Sequence, residues 1–63
     1  MIEVVNPDAF TPGQTVQVFD QDGRPFYIGT VVRYWRNNAF TVRESEHGTT
    51  CNHHVRDLEL LTK

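Results

Sequence analysis

The sequence predicts an all-β fold, a single small barrel of five strands that takes up residues 1–63. Short β-prone runs recur along the chain, and turn residues separate them at short, fairly regular intervals. No stretch shows helical periodicity, and nothing repeats internally. A length of 63 residues leaves room for only one domain.

The beginning of the domain, residues 1–12, is predicted to be irregular. Pro12 ends it and Gly13 follows; proline fixes φ and lacks an N–H donor, whereas glycine permits turn conformations. The first strand is predicted from Thr15 to Asp20, where Val16 and Val18 alternate with polar residues. The two valines therefore share one face of a half-buried strand.

The second strand is predicted from Phe26 to Trp35, after a turn over residues 20–23, and Gly29 is expected to let it bend. This is the longest β-prone run, and its apolar side chains fall on both alternating faces. Only one face can meet the core, so we expect the other face to contact a partner or ligand. Of Tyr34 and Trp35, only one is expected to be exposed.

Two further strands follow a predicted two-residue turn at Asn37-Asn38, because asparagine tolerates the positive φ that such turns need. The third strand runs from Ala39 to Glu44, with Phe40 and Val42 on one side. After a third turn at residues 46–48, the fourth strand runs from Thr49 to Val55.

The end of the chain, residues 55–61, is predicted to form a short helical turn and a last strand. Leu58 and Leu60 are expected to be buried there, with Glu59 exposed. This strand would close the barrel.

Composition narrows the class of protein. The chain is 38% hydrophobic and 22% charged, as in ordinary globular proteins, and no apolar run approaches the roughly 20 residues that a membrane helix needs. The first residues lack the basic start and apolar core of a secretory signal. The single cysteine, Cys51, excludes an internal disulfide framework, so we expect a cytoplasmic protein.

Charge is unevenly distributed along the chain. The formal net charge of −2 argues against non-specific phosphate binding, which depends on many lysines and arginines. Yet Arg24, Arg33, Arg36 and Arg43 occur in the middle third with no acidic residue between them. We therefore expect one basic face.

The order of these features resembles SH3-like small barrels, among them Tudor, KOW and agenet modules. The resemblance covers about residues 10–62 and includes the Pro12-Gly13 start, Gly29-Thr30-Val31-Val32 in the second strand and the ending Val55-x-x-Leu58-Glu59-Leu60. It implies that the five-stranded barrel is SH3-like.

A closer resemblance is to the plasmid-borne type II dihydrofolate reductases, SH3-like chains that assemble as tetramers around a central pore. The similar segments are Phe10-Thr11-Pro12-Gly13 with Val16, then Gly29 to Trp35, and then Phe40-Thr41-Val42 through Glu44-Ser45-Glu46-His47-Gly48 to Val55 and Leu58-Glu59. That family binds folate and NADPH with a Val-Gln-Ile-Tyr segment, where this chain has Thr50, Cys51, Asn52 and His53. The resemblance implies a homo-oligomer with those four residues lining a pore.

The candidate binding surface combines aromatic rings with guanidinium groups, which can form an aromatic cage or stacking platform. The alternative is that the aromatic rings simply pack in the core. The predicted binding residues are Tyr27, Arg33, Tyr34, Trp35, Arg36, Phe40 and Arg43.

Cys51 and the histidines are the candidate metal ligands and the candidate catalytic residues. Cys51, His53, His54 and His47 are of the types that bind zinc or nickel, but Cys51 and His53 share a face while His54 points away. One chain then offers at most two ligands, and symmetry would have to provide others. We therefore predict no bound metal, and we predict no cofactor. We also predict no catalytic residue, because adjacent same-face residues on a strand seldom direct a nucleophile and a base at one substrate atom.

These observations favour a non-catalytic binding module that recognises a protein, peptide or nucleic-acid segment and forms a dimer or tetramer. The alternative is a homo-oligomeric relative of the type II reductases. No membrane partner is expected.

Overall fold

The computed structural model describes residues 7–61, which form five strands and one turn of 3-10 helix. The strands are β1 (Thr15–Phe19), β2 (Pro25–Arg36), β3 (Ala39–Glu44), β4 (Thr50–His54) and β5 (Leu58–Leu60), and the 3-10 helix is Val55–Asp57. The all-β prediction is confirmed. Of the predicted irregular beginning, residues 1–6 lie outside the described part, and residues 7–12 contain no strand.

All five strands pair in one antiparallel sheet, in the order β4-β3-β2-β1-β5. Strands β4 and β5 are therefore its edges. Within residues 7–61 no ladder joins these edges, so the sheet is open and the predicted closed barrel is not confirmed. The last strand has only three residues, all paired with β1.

The core lies on one side of the sheet and follows the alternation predicted from the sequence. Its members come from every strand except β4: Val16, Val18, Val31, Phe40, Val42 and Leu58. Leu60, predicted to be buried, is 44% exposed because it lies on the short edge strand. Glu59 is exposed, as predicted.

The turns set the register of the strands. Asn37 and Asn38 have φ of 53° and 61°, the backbone that a two-residue hairpin turn requires. In the β1–β2 turn, Asp20 Oδ1 accepts hydrogen bonds from the backbone N–H groups of Asp22 and Arg24 at 2.9 and 3.0 Å. These two predicted turns are confirmed.

None of the helical structure in the described part of the chain has the length and apolarity to cross a membrane.

Candidate functional site

The sheet has a core face and an outer face, and cross-strand partners share a face. On β3, Phe40 and Val42 belong to the core cluster, so the alternation puts Ala39, Thr41 and Arg43 on the other face, which we call the outer face. Ala39 and Thr41 are themselves buried there, and Arg43 is exposed. Arg33 lies opposite Thr41, and Arg36 lies opposite Ala39. Three of the four central arginines thus share the outer face.

Trp35 is positioned by an irregularity in β2. The register shifts between Tyr34 and Arg36, which makes Trp35 the extra residue of a β-bulge. Its side chain is 43% exposed, and the Arg36 guanidinium carbon lies 4.3 Å from the centre of its ring. This is a cation–π contact at the surface.

Tyr34 lies opposite Phe40 in the ladder and faces the core. Its ring packs edge-on against Phe40 with centroids 5.2 Å apart, and its hydroxyl oxygen accepts a hydrogen bond from the Asn38 N–H at 3.1 Å. Tyr34 is half-buried while Trp35 is exposed, in agreement with the expectation that only one would be exposed.

The predicted binding residue Phe40 does not lie on the surface. It is fully buried, because it shares the alternating face of β3 with Val42. Tyr27 and Tyr34 also pack against the core, and Tyr27 lies at the other end of β2. The outer face therefore brings together Arg33, Arg36 and Arg43, and the exposed Trp35 ring lies against Arg36. We call these four residues the arginine–tryptophan surface.

Tyr27 and His53 form a second polar constellation, on the core face. The Tyr27 hydroxyl oxygen lies 2.5 Å from His53 Nε2. Burial raises the pKa of Tyr27, helped by the nearby Cys51 and Glu44. Burial also lowers the pKa of His53, although Asp57 opposes the shift, so the neutral form of each ring is favoured.

A surface cleft of about 400 Å³ opens beside this pair, and we call it the Phe26 cleft. It is lined by Phe26, Tyr27, Glu44, His47, Thr49 and Cys51. Glu44 Oε1 contacts His47 Nδ1. The sequence analysis did not predict Phe26 or Glu44 as site residues. The apolar character of both faces of β2 could have pointed to Phe26, whose side chain is 65% exposed.

The four residues of the predicted pore lie on the edge strand β4 but not on one face. Cys51 and His53 lie opposite Val42 and Phe40 on the core face, whereas Asn52 lies opposite Thr41 on the outer face. Asn52 Oδ1 accepts a hydrogen bond from Thr41 Oγ1 at 2.5 Å. Thr50, opposite Arg43, also lies on the outer face.

Within residues 7–61, no group of three or more histidine, cysteine, aspartate or glutamate side chains of a single chain is placed to hold a metal ion. No protein-family model, curated protein or solved structure matches the chain. The candidate sites are accordingly defined by its own geometry, with the arginine–tryptophan surface on one face and the Phe26 cleft on the other.

Proposed function

We propose that this protein is a non-catalytic binding module that recognises an extended, negatively charged segment through the arginine–tryptophan surface. The observation that carries the proposal is the Arg36 guanidinium placed 4.3 Å from the exposed Trp35 ring, with Arg33 and Arg43 on the same face. The segment is single-stranded nucleic acid or an acidic peptide.

The chemistry of the surface suits such a ligand. An exposed indole ring can stack on a base or on a planar side chain, worth about 1–3 kcal/mol per base. Guanidinium groups form bidentate hydrogen bonds with phosphate and carboxylate oxygens. Because the net charge is −2, binding depends on this local arrangement rather than on overall attraction.

Trp35 is the only tryptophan, so its fluorescence reports directly on the surface. The chain is titrated with a short single-stranded oligonucleotide and, separately, with an acidic peptide. We expect one of them to change the fluorescence, with an affinity that falls as salt rises. Arg33→Gln and Arg43→Gln should each weaken binding, whereas Arg56→Gln, an exposed arginine of the 3-10 helix, should not. No change with either ligand, or equal losses in all three variants, would contradict the proposal.

We also propose that the open sheet belongs to the SH3-like group of small β folds. The support is its strand order, together with the single turn of 3-10 helix between β4 and β5. A solution structure by NMR tests this, and an arrangement in which β5 pairs away from β1 would contradict it.

The second candidate is a homo-oligomer related to the type II dihydrofolate reductases, with Thr50, Cys51, Asn52 and His53 at a pore. The observation in its favour is that β4 is an edge strand on which the first three of these residues are exposed. Native mass, together with binding of NADPH and dihydrofolate, decides it. A monomer that binds neither ligand would rule it out.

A further inference from the structure

The open edge of β4 lacks the features that usually prevent two sheet edges from pairing. Edge strands are commonly protected by lysine, proline, inward-pointing charge or bulges. Strand β4 reads Thr50-Cys51-Asn52-His53-His54, with no lysine, arginine, acid or proline, and its register with β3 is uninterrupted. Two such edges can approach each other without repulsion between like carboxylates or ammonium groups.

The hydrogen bonds flanking the β3–β4 ladder show which backbone groups face this edge. Glu44 N–H donates to the Thr49 carbonyl and Val55 N–H donates to the Asn38 carbonyl, each at 2.8 Å. Hydrogen-bonded pairs alternate along an antiparallel ladder, so Cys51 and His53 direct their backbone groups toward β3. Asn52 directs its backbone N–H and C=O toward the open edge.

A two-fold axis at Asn52 would therefore pair two β4 strands over their full length. Asn52 and the partner's Asn52 would exchange both backbone hydrogen bonds. Cys51 would lie opposite the partner's His53 in a non-hydrogen-bonded pair, where Cα atoms are about 4.5 Å apart and side chains are closest. Cys51 and His53 of each copy share the core face, so four donor side chains would surround the axis on one face of the paired sheets.

We propose that two copies of this chain pair through β4 and bind one Zn²⁺ on the two-fold axis, with Cys51 Sγ and His53 Nδ1 of each copy as ligands. Two thiolates and two imidazoles form a common tetrahedral zinc set. Each chain supplies only two donors, so the site is incomplete without the second copy. Each Cys51 thiol loses its proton to solvent when the metal binds.

Tyr27 orients the histidine for this role. In the metal-bound form the His53 Nε2–H donates to the Tyr27 hydroxyl oxygen, 2.5 Å away, which leaves Nδ1 for zinc. A hydrogen bond to the second ring nitrogen commonly fixes the tautomer and ring orientation of a zinc ligand. Among the described residues, the imidazole of His53 makes no other hydrogen bond. Tyr27 is thus a positioning residue, not a ligand.

The experiment measures native mass and bound metal on the full chain, with added Zn²⁺ and after removal of metal by chelation. We expect zinc to produce a dimer that holds one ion per two chains, and chelation to reduce the dimer fraction. Cobalt in place of zinc should give the intense visible spectrum of a tetrahedral site with thiolate ligands. A mass unchanged by zinc, or one ion per chain held by Cys51 with Glu44 and His47, would overturn the proposal.

Variants separate the site from the fold. Cys51→Ser, at an exposed position, should abolish zinc-dependent dimerisation, whereas the control His47→Gln should not change it. Tyr27→Phe should lower the affinity for zinc about ten- to a hundred-fold while leaving a stoichiometry of one ion per dimer. Asn52→Pro removes the backbone N–H that points to the open edge. An edge strand of the monomer tolerates proline at such a position, so this variant should fold but should not pair through β4. Zinc-dependent dimers of Cys51→Ser would refute the site, and the arginine–tryptophan proposal would be unaffected because it concerns the other face.

Discussion

The Tyr27 hydroxyl oxygen lies 2.5 Å from His53 Nε2 and so connects β2 to β4, two strands that β3 separates in the sheet. The two rings also meet edge-on, with centroids 5.6 Å apart. The contact holds the edge strand to the body of the sheet on its core face. Both partners are half-buried, so water only partly replaces the hydrogen bond if one partner is removed.

We expect Tyr27→Phe to lower the free energy of unfolding by about 1 kcal/mol, the usual net worth of such a hydrogen bond. The ring and its packing against the core remain, so the loss is that of the hydroxyl group. Urea unfolding followed by the fluorescence of Trp35 measures it. A variant as stable as the original chain would mean that the bond contributes nothing net.

His53 makes stability depend on pH. Its pKa in the folded chain lies below the ordinary value of about 6.5, so the unfolded chain binds the proton more readily. The stabilising contribution is complete above that value and is lost as pH falls through the lower, folded pKa. We expect the urea midpoint to fall between pH 7.5 and pH 5.5, roughly the window set by the histidine pKa.

The matched control for this pH dependence is a pair of substitutions. His53→Gln should make the profile flatter across that window, whereas His47→Gln, at an exposed site, should leave the slope attributed to His53 in place. Equal profiles for the original chain and His53→Gln would show that another group is responsible.

Gly29→Ala should destabilise the sheet by about 1–3 kcal/mol, the cost typical of overpacking. A Cβ at this position would lie 2.5 Å from Val42 Cγ1 and 2.6 Å from the Arg43 carbonyl oxygen. The carbonyl belongs to the backbone of β3 and cannot turn aside as a side chain can. Urea unfolding compares this variant with Thr30→Ala, its half-buried neighbour, which should cost less.

The β2–β3 turn offers a test of backbone conformation alone. Asn37 is exposed and has φ of 53°, a region that costs most L-residues about 1–2 kcal/mol. Asn37→Val should therefore lose about that amount of stability, and Asn37→Gly should be close to neutral. Thermal unfolding by circular dichroism measures both, and similar losses in the two variants would point to a lost side-chain contact instead.

Phe40 and Trp35 were both predicted as binding residues, and substitution should separate their roles. Phe40→Ala should cost about 3–5 kcal/mol, comparable to what a core of this size supplies, and leave the chain largely unfolded. Trp35→Ala should keep the β-sheet spectrum in circular dichroism and lose binding to the anionic segment, measured by calorimetry. A folded Phe40→Ala variant with impaired binding would contradict the assignment of Phe40 to the core.

Much of the strand pattern could be predicted from the sequence because local chemistry determines it. The alternation of Val16 and Val18, the positive φ tolerated at Asn37-Asn38 and the short run from Ala39 to Glu44 each depend on a few neighbouring residues. The same alternation predicted that Leu60 is buried, and this prediction was wrong. Alternation says which face a residue is on, but not whether another strand covers that face.

The sequence by itself determined the strands, their turns and the concentration of arginines on β2 and β3, because period-two alternation and turn conformations are local properties. Tertiary structure alone decided which aromatic rings are accessible. Phe40 is in the core because it shares the face of β3 that Val42 occupies, and Trp35 is at the surface as the extra residue of a bulge at the end of β2. The pairing of Tyr27 with His53 also depended on the sheet, since it brings together side chains 26 positions apart in the chain.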